Sequence, residues 1–202
     1  MLEGWGADNT VALLGLVGAA VAFFVGLIQY RRAQQWKRAE WVAQEVKAVL
    51  ADPSVDAALK MIDWGGRSIQ LYPTRKNEDE RFEWVASEEV VRGLASHHDH
   101  GPFTPKEAAI RDAFAHLLDG LERLEGYLGA GLITVSDLAP YLNYWAEHLE
   151  NARGNPRLNQ VRAYMSTYRC DGAARLLRRL NENLPRSEST SGLPTQGELE
   201  SI

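Results

Sequence analysis

The spacing of apolar residues changes character three times along the chain, and each change predicts a different kind of element. From Val11 to Ile28 every residue is Val, Leu, Ile, Phe, Ala or Gly. With Thr10 and Gln29 this makes about twenty residues, or roughly 30 Å of helix, which matches the hydrocarbon thickness of a bilayer. Beyond it, Val42, Val46, Val49 and Leu50 fall at helical spacing among charged positions, so residues 31–50 are expected to continue the same helix with one apolar face. Asp52 followed by Pro53 reads as a cap and first residue of a second helix, with Val55, Ala58, Leu59 and Ile62 as its stripe and Gly65-Gly66 as its end.

Residues 67–103 are less periodic. "SIQLY" and "RFEWV" on either side of the charged stretch "TRKNEDE" suit a short β-hairpin, with helix fragments as the alternative. Ser87-Glu88-Glu89 opens a short helix to about Ala95, and "SHHDHGP" reads as a loop. Thr104, Pro105 and Glu107 then form a capping box. The positions Ile110, Phe114, Leu117, Leu118, Leu121, Leu124 and Leu128 mark one face of a long helix. "GAGLIT" breaks it, Thr134 with Asp137 caps the next, and so short a break predicts an antiparallel pair. Pro140, early in that next helix, is a candidate kink. Pro156 starts another helix, and the last runs from Asp171 to about Asn183, with Leu176, Leu177 and Leu180 opposite Arg175, Arg178 and Arg179.

The fold class expected is therefore all-α: an N-terminal transmembrane helix, then a helical cytosolic domain with one short hairpin as an option. The boundaries are a short external segment at 1–10, the span at 11–30, the domain at 31–183 and a tail at 184–202. The tail is rich in Ser, Thr, Pro, Gly and Glu and is expected to be disordered.

Eleven of the eighteen residues from Val11 to Ile28 are Leu, Ile, Val or Phe, which favours insertion by roughly 3–7 kcal/mol. A cleaved signal would want a basic start and a shorter apolar run, whereas Glu3 and Asp8 precede this one. A soluble core helix would carry polar residues on one side. Arg31, Arg32, Lys37 and Arg38 follow the span and no Lys or Arg precedes it. The positive-inside rule thus predicts the inner membrane, with the N-terminus outside and the domain in the cytoplasm. Trp5, Tyr30 and Trp36 suit the interfaces. Gly18, Ala22 and Gly26 recur every fourth residue, a candidate face for helix pairing and homo-oligomer formation. The span holds no ionisable residue and so offers no ion path of its own.

The net charge of −5 and the 24% of charged residues give no reason to expect nucleic acid as a partner. A single cysteine, Cys170, excludes an internal disulfide framework and a CxxC zinc site. Its neighbour Arg169 would favour a reactive thiolate, and Asp171 opposes that. No P-loop, Rossmann, GxSxG or HExxH motif occurs, so no catalytic residue and no cofactor are assigned. His97, His98 and His100, with Asp99, are the candidate metal loop, since imidazole and carboxylate suit zinc. Neighbouring residues do not converge on one ion unaided, so His116 or His148 would have to complete it. Asp112, Asp119, Glu122 and Glu125 mostly fall off the leucine stripe and read as a solvated face. Trp41, Trp64, Trp84 and Trp145 line either a binding groove or the core, with core packing expected. The Arg175/Arg178/Arg179 face is expected in solvent, with anionic lipid as the alternative.

The segments "QQWKRAEWVAQEVKAVLADPSVDAALKMIDW" and "IRDAFAHLLDGLERLEGYLGAGLITVSDLAPYLNYW" resemble a group of uncharacterised bacterial membrane-anchored helical proteins. The likeness covers roughly residues 33–180 and rests on Trp36, Asp52-Pro53, Asp63-Trp64 and the run Arg111 to Phe114. It implies an N-terminal anchor and a helical cytosolic domain, and it brings no activity or ligand with it. The functional expectation is a membrane-tethered module contacting lipid through its first helix and binding another protein. A metal-dependent enzyme or sensor using the histidine loop is the alternative.

Overall fold

The computed structural model describes residues 7–150 and 152–183. The tail at 184–202 and the first six residues lie outside them. The first helix, α1 (Ala7–Leu50), runs unbroken from the apolar stretch into the domain. Its two halves differ in surroundings. Leu14 and Phe23 are 68% and 67% exposed, while Val42, Val46 and Val49 are buried. The apolar half packs against nothing among the described residues and is long and apolar enough to cross a membrane. Leaving such side chains in water would forgo roughly 1.5–3 kcal/mol each, so this surface calls for an apolar surrounding.

The second half of α1 is held by α2 (Pro53–Asp63), α5 (Pro105–Gly129) and α6 (Val135–Glu150). Helix α2 (Pro53–Asp63) begins where expected, with the Asp52 carboxylate accepting from Ser54 N at 2.7 Å. The hairpin forms as β1 (Gly66–Gln70) and β2 (Phe82–Ala86), antiparallel, with Gly66 opposite Ala86 and Gln70 opposite Phe82. Its first strand starts two residues earlier than "SIQLY" suggests. Helix α3 (Ser87–Gly93) follows at once. The expected loop "SHHDHGP" instead contains one helical turn, α4 (His97–His100), because the Ser96 hydroxyl accepts from His98 N and supplies a cap.

Helix α5 (Pro105–Gly129) is the central element, opened by the expected Thr104/Glu107 capping box. Helices α2, α3 and α8 (Asp171–Glu182) pack around it. At the α1 crossing Gly120 permits close approach, since a Cβ there would stand 2.7 Å from Val49 Cγ1. Helix α6 (Val135–Glu150) is capped by Asp137, which accepts from Thr134 N and Oγ1. It passes through Pro140 without a break. The expected antiparallel α5–α6 pairing is not the main contact. Instead α8 packs against both, its Leu176 and Leu180 fully buried between them, and α6 also meets α1. Helix α7 (Pro156–Thr167) lies on α3 and α8.

Two polar locks join elements far apart in sequence. The buried Arg157 donates through Nη2 to Ile62 O at 2.8 Å and through Nη1 to Trp64 O, so α7 satisfies carbonyls at the C-terminal end of α2. The α5 residues expected to be solvated include two that are not. Glu122 Oε1 accepts from Gly172 N and Ala173 N at 2.8 and 3.0 Å, capping α8 from another helix. Glu125 is buried and pairs with Arg175 and Arg179 at 3.3 and 3.4 Å. The correction has one cause: α8 lies along this side of α5 and turns an exposed acidic face into its anchor. Asp112 and Asp119 are exposed as expected.

Candidate functional site

The histidine loop does not gather ligands around one point in the described structure. His97 Nδ1 lies 3.1 Å from Arg111 Nη2 and 3.0 Å from the Tyr168 hydroxyl. Arg111 also donates to Gly93 O and Ala95 O and lies over the rings of Phe103, Tyr164 and Tyr168. These contacts pin the α3–α4 connection to α5. His98 is exposed, and the side chain of His100 lies outside what the structure describes. His116 is elsewhere, with Nδ1 3.3 Å from Asp52 at the α1–α2 junction. His148 stacks on Tyr144 in α6. Among the described residues no three His, Cys, Asp or Glu side chains are grouped as metal ligands.

Cys170 stands at the start of α8, half-buried and without a capping contact of its own. Burial, then Glu122, Asp119 and Asp171, push its thiol up from the ordinary value. That is opposite to the direction Arg169 alone would impose, so the thiol is held protonated. The arginine face of α8 is largely committed to Glu125, and Arg178 lies 3.9 Å from Glu182.

The four tryptophans divide into two pairs. Trp41 meets Tyr127 edge-on at 4.9 Å, and Trp145 packs against the core. Trp64 and Trp84, expected in the core, are instead 53% and 61% exposed, and Phe82 is 49% exposed. Trp64 is the residue that ends α2, and for Phe82 and Trp84 strand alternation is the reason. Ile69 and Val85 point inward and are buried, which sends Phe82 and Trp84 to the opposite face. Gly66 lets the Trp84 ring lie against the backbone, since a Cβ there would be 3.2 Å from Cζ2. Arg67 sits over the Trp64 ring at 4.9 Å. The surface is held rigidly: Lys106 Nζ bonds Trp84 O at 2.6 Å and Glu89 at 2.7 Å, tying hairpin, α3 and α5 together. Beside it the Tyr144 hydroxyl donates to Asp63 at 2.5 Å. The only sequence signal for this face was the alternation in "RFEWV", which sets Phe82 and Trp84 opposite Val85.

On α1 the small residues Gly18, Ala22 and Gly26 are all exposed, and a Cβ at either glycine would meet nothing within 4 Å. The stripe is open to a neighbour of any kind.

Fold and surfaces together define a mostly helical protein with a two-stranded hairpin and one candidate membrane-spanning helix. No known family model matches the chain, and no curated protein or solved structure matches it.

Proposed function

We propose that the protein is a single-pass inner-membrane protein whose domain, on the cytoplasmic side, docks another protein through the Phe82/Trp84 face of its hairpin. The observation that carries this reading is that face itself. Two large aromatic side chains, Phe82 and Trp84, stand exposed on one face of a braced hairpin while Ile69, Val85 and the helices complete the core without them. Exposed aromatics held rigid lose little entropy on binding and supply most of the energy at protein interfaces.

The membrane part of the proposal rests on the unpartnered apolar half of α1, and its orientation on Arg31, Arg32, Lys37 and Arg38 just beyond the apolar run. The absence of a grouped set of ligands among the described residues leaves the metal reading without a supporting observation. Kinship with the bacterial membrane-anchored helical proteins belongs to the same proposal.

A photoreactive amino acid at Phe82 tests it in intact cells. We expect a discrete protein adduct in the membrane fraction that is lost when Trp84→Ala is added. The same residue placed at exposed Arg153 should give none. Equal, diffuse crosslinking from both positions would refute docking through the hairpin.

A further inference from the structure

Between the start of the cytosolic half of α1 and the α5–α6 connection lies an open cleft of about 570 Å³. It is lined by Gln34, Gln35, Lys37, Arg38, Trp41 and Leu132. We propose that this cleft binds the phosphate-bearing headgroup of an anionic phospholipid. The proposal rests on α1 crossing the membrane, and it adds a ligand site that holds the domain against the surface from which it hangs.

Position carries the first part of the argument. With 1.5 Å of rise per residue, Gln34 stands about 6 Å and Arg38 about 12 Å beyond Tyr30. The headgroup layer is about 5–8 Å deep on each side. Long basic side chains reach back toward it, and tilt of the helix brings the cleft nearer still.

Chemistry carries the second. Lys37 is exposed and has no ion pair among the described residues. Arg38 touches Asp137 through Nε at 3.4 Å. That carboxylate is already engaged as the α6 cap through its Oδ2. The two Nη groups of Arg38 make no hydrogen bond among the described residues, so a planar donor edge remains for a phosphate. Gln34 and Gln35 add amide donors. Arg31 and Arg32, roughly two turns before Arg38 and exposed, give the approach the same sign of charge.

Shape carries the third. The connection turns at Gly131 with φ of 71°, a left-handed conformation that suits glycine. This presents Leu132, 53% exposed, at the edge of the cleft. Trp41, fixed by Tyr127, forms the opposite wall. A cationic cleft with apolar walls, opening beside a bilayer, matches a headgroup with its glycerol backbone.

Hydrogen exchange of the full chain in vesicles tests this, in phosphatidylcholine alone and in a phosphatidylcholine–phosphatidylglycerol mixture. Amides of residues 129–134 should exchange about fivefold more slowly in the mixture, the effect of roughly one basic residue at an anionic surface. Lys37→Glu should abolish the difference, Leu132→Ser should reduce it, and Arg123→Glu, on the exposed side of α5, should leave it intact. Equal exchange in the two lipids, or a difference that survives Lys37→Glu, would overturn the proposal. So would protection in neutral vesicles by soluble glycerol phosphate, which would make the cleft a site for a water-soluble phosphate ester. Retention after an alkaline wash is measured on every sample. Loss of retention would remove the spanning helix and the headgroup site together, whereas retention with no lipid difference removes only the site.

Discussion

Replacing Glu122 by alanine removes a cap that its own helix does not need and α8 does. The carboxylate accepts from Gly172 N and Ala173 N, two of the amides that a helix leaves without partners at its start. Cys170, at the local cap position, makes no such bond. Loss of an N-cap costs about 1 kcal/mol. Loss of a negative charge at a helix N-terminus adds about 0.3–1 kcal/mol. Glu122→Ala should therefore destabilise the domain by about 1–2 kcal/mol, Glu122→Gln by less, and Asp119→Ala, which is exposed, by no more than about 0.5 kcal/mol. The geometry offers a sharper test. A Cβ on Gly172 would collide with the Glu122 carboxylate, so Gly172→Ala should displace the cap and destabilise the parent protein. With Glu122 already alanine there is nothing left to displace. The same Gly172→Ala change should then be neutral or stabilising by up to about 1 kcal/mol, from the better helix propensity of alanine. Urea unfolding of the full chain in detergent, followed by circular dichroism for all four members of the cycle, measures the coupling. Additive effects of the two substitutions would refute the cap.

Arg157→Met keeps much of the side-chain volume but leaves Ile62 O and Trp64 O without their donor, and should cost about 2–4 kcal/mol in the same urea assay; a change below about 0.5 kcal/mol would mean water replaces the guanidinium. Acid should weaken the domain through Glu89 and Asp52. Partial burial raises both, but the Ala86 amide with Lys106, and the Ser54 amide with His116, outweigh it and hold them below the ordinary carboxylate range. Their contribution is complete above the unfolded values and is lost as pH falls through the lowered ones, below about pH 4. Thermal melts of the parent and of Glu89→Gln between pH 3 and 7 should converge at the acid end, and parallel curves would count against it. Gly18→Ile with Gly26→Ile should abolish pairing of the isolated span in a membrane-helix reporter while insertion persists, if the open stripe is a contact face; pairing equal to the parent would reduce it to ordinary composition.

Local signals carried most of the fold. Asp52-Pro53, the Thr104/Glu107 box and Thr134 with Asp137 each mark a helix start through contacts within three residues, and all form as read. The valines of α1 and the leucines of α5 and α8 announce the core by period alone. What a single helix cannot reveal is which neighbour will cover it. Glu122 and Glu125 sit off the leucine stripe as a solvated face would, and only the arrival of α8, some fifty residues later, makes them a cap and a buried pair. The antiparallel α5–α6 expectation failed for the same reason, because α8 packs against both. Ser96 could have been read as the cap that turns "HHDH" into a helical turn, since Ser is a strong N-cap residue. Of the surfaces, the long exposed apolar half of α1 was legible from composition. The aromatic hairpin face needed the register, which decides that Val85 points in and Trp84 out.

The proposed function depends most on α1 crossing the membrane and hanging the domain on the cytoplasmic side. Paired fusions after Ile202 measure this in one experiment: one reporter active only in the cytoplasm, the other only outside it. The expected product is membrane-bound and resistant to alkaline wash, and only its cytoplasmic reporter works. Activity of the external reporter alone would reverse the orientation, and release of a soluble, shortened product would show that the apolar stretch is a cleaved signal rather than a span.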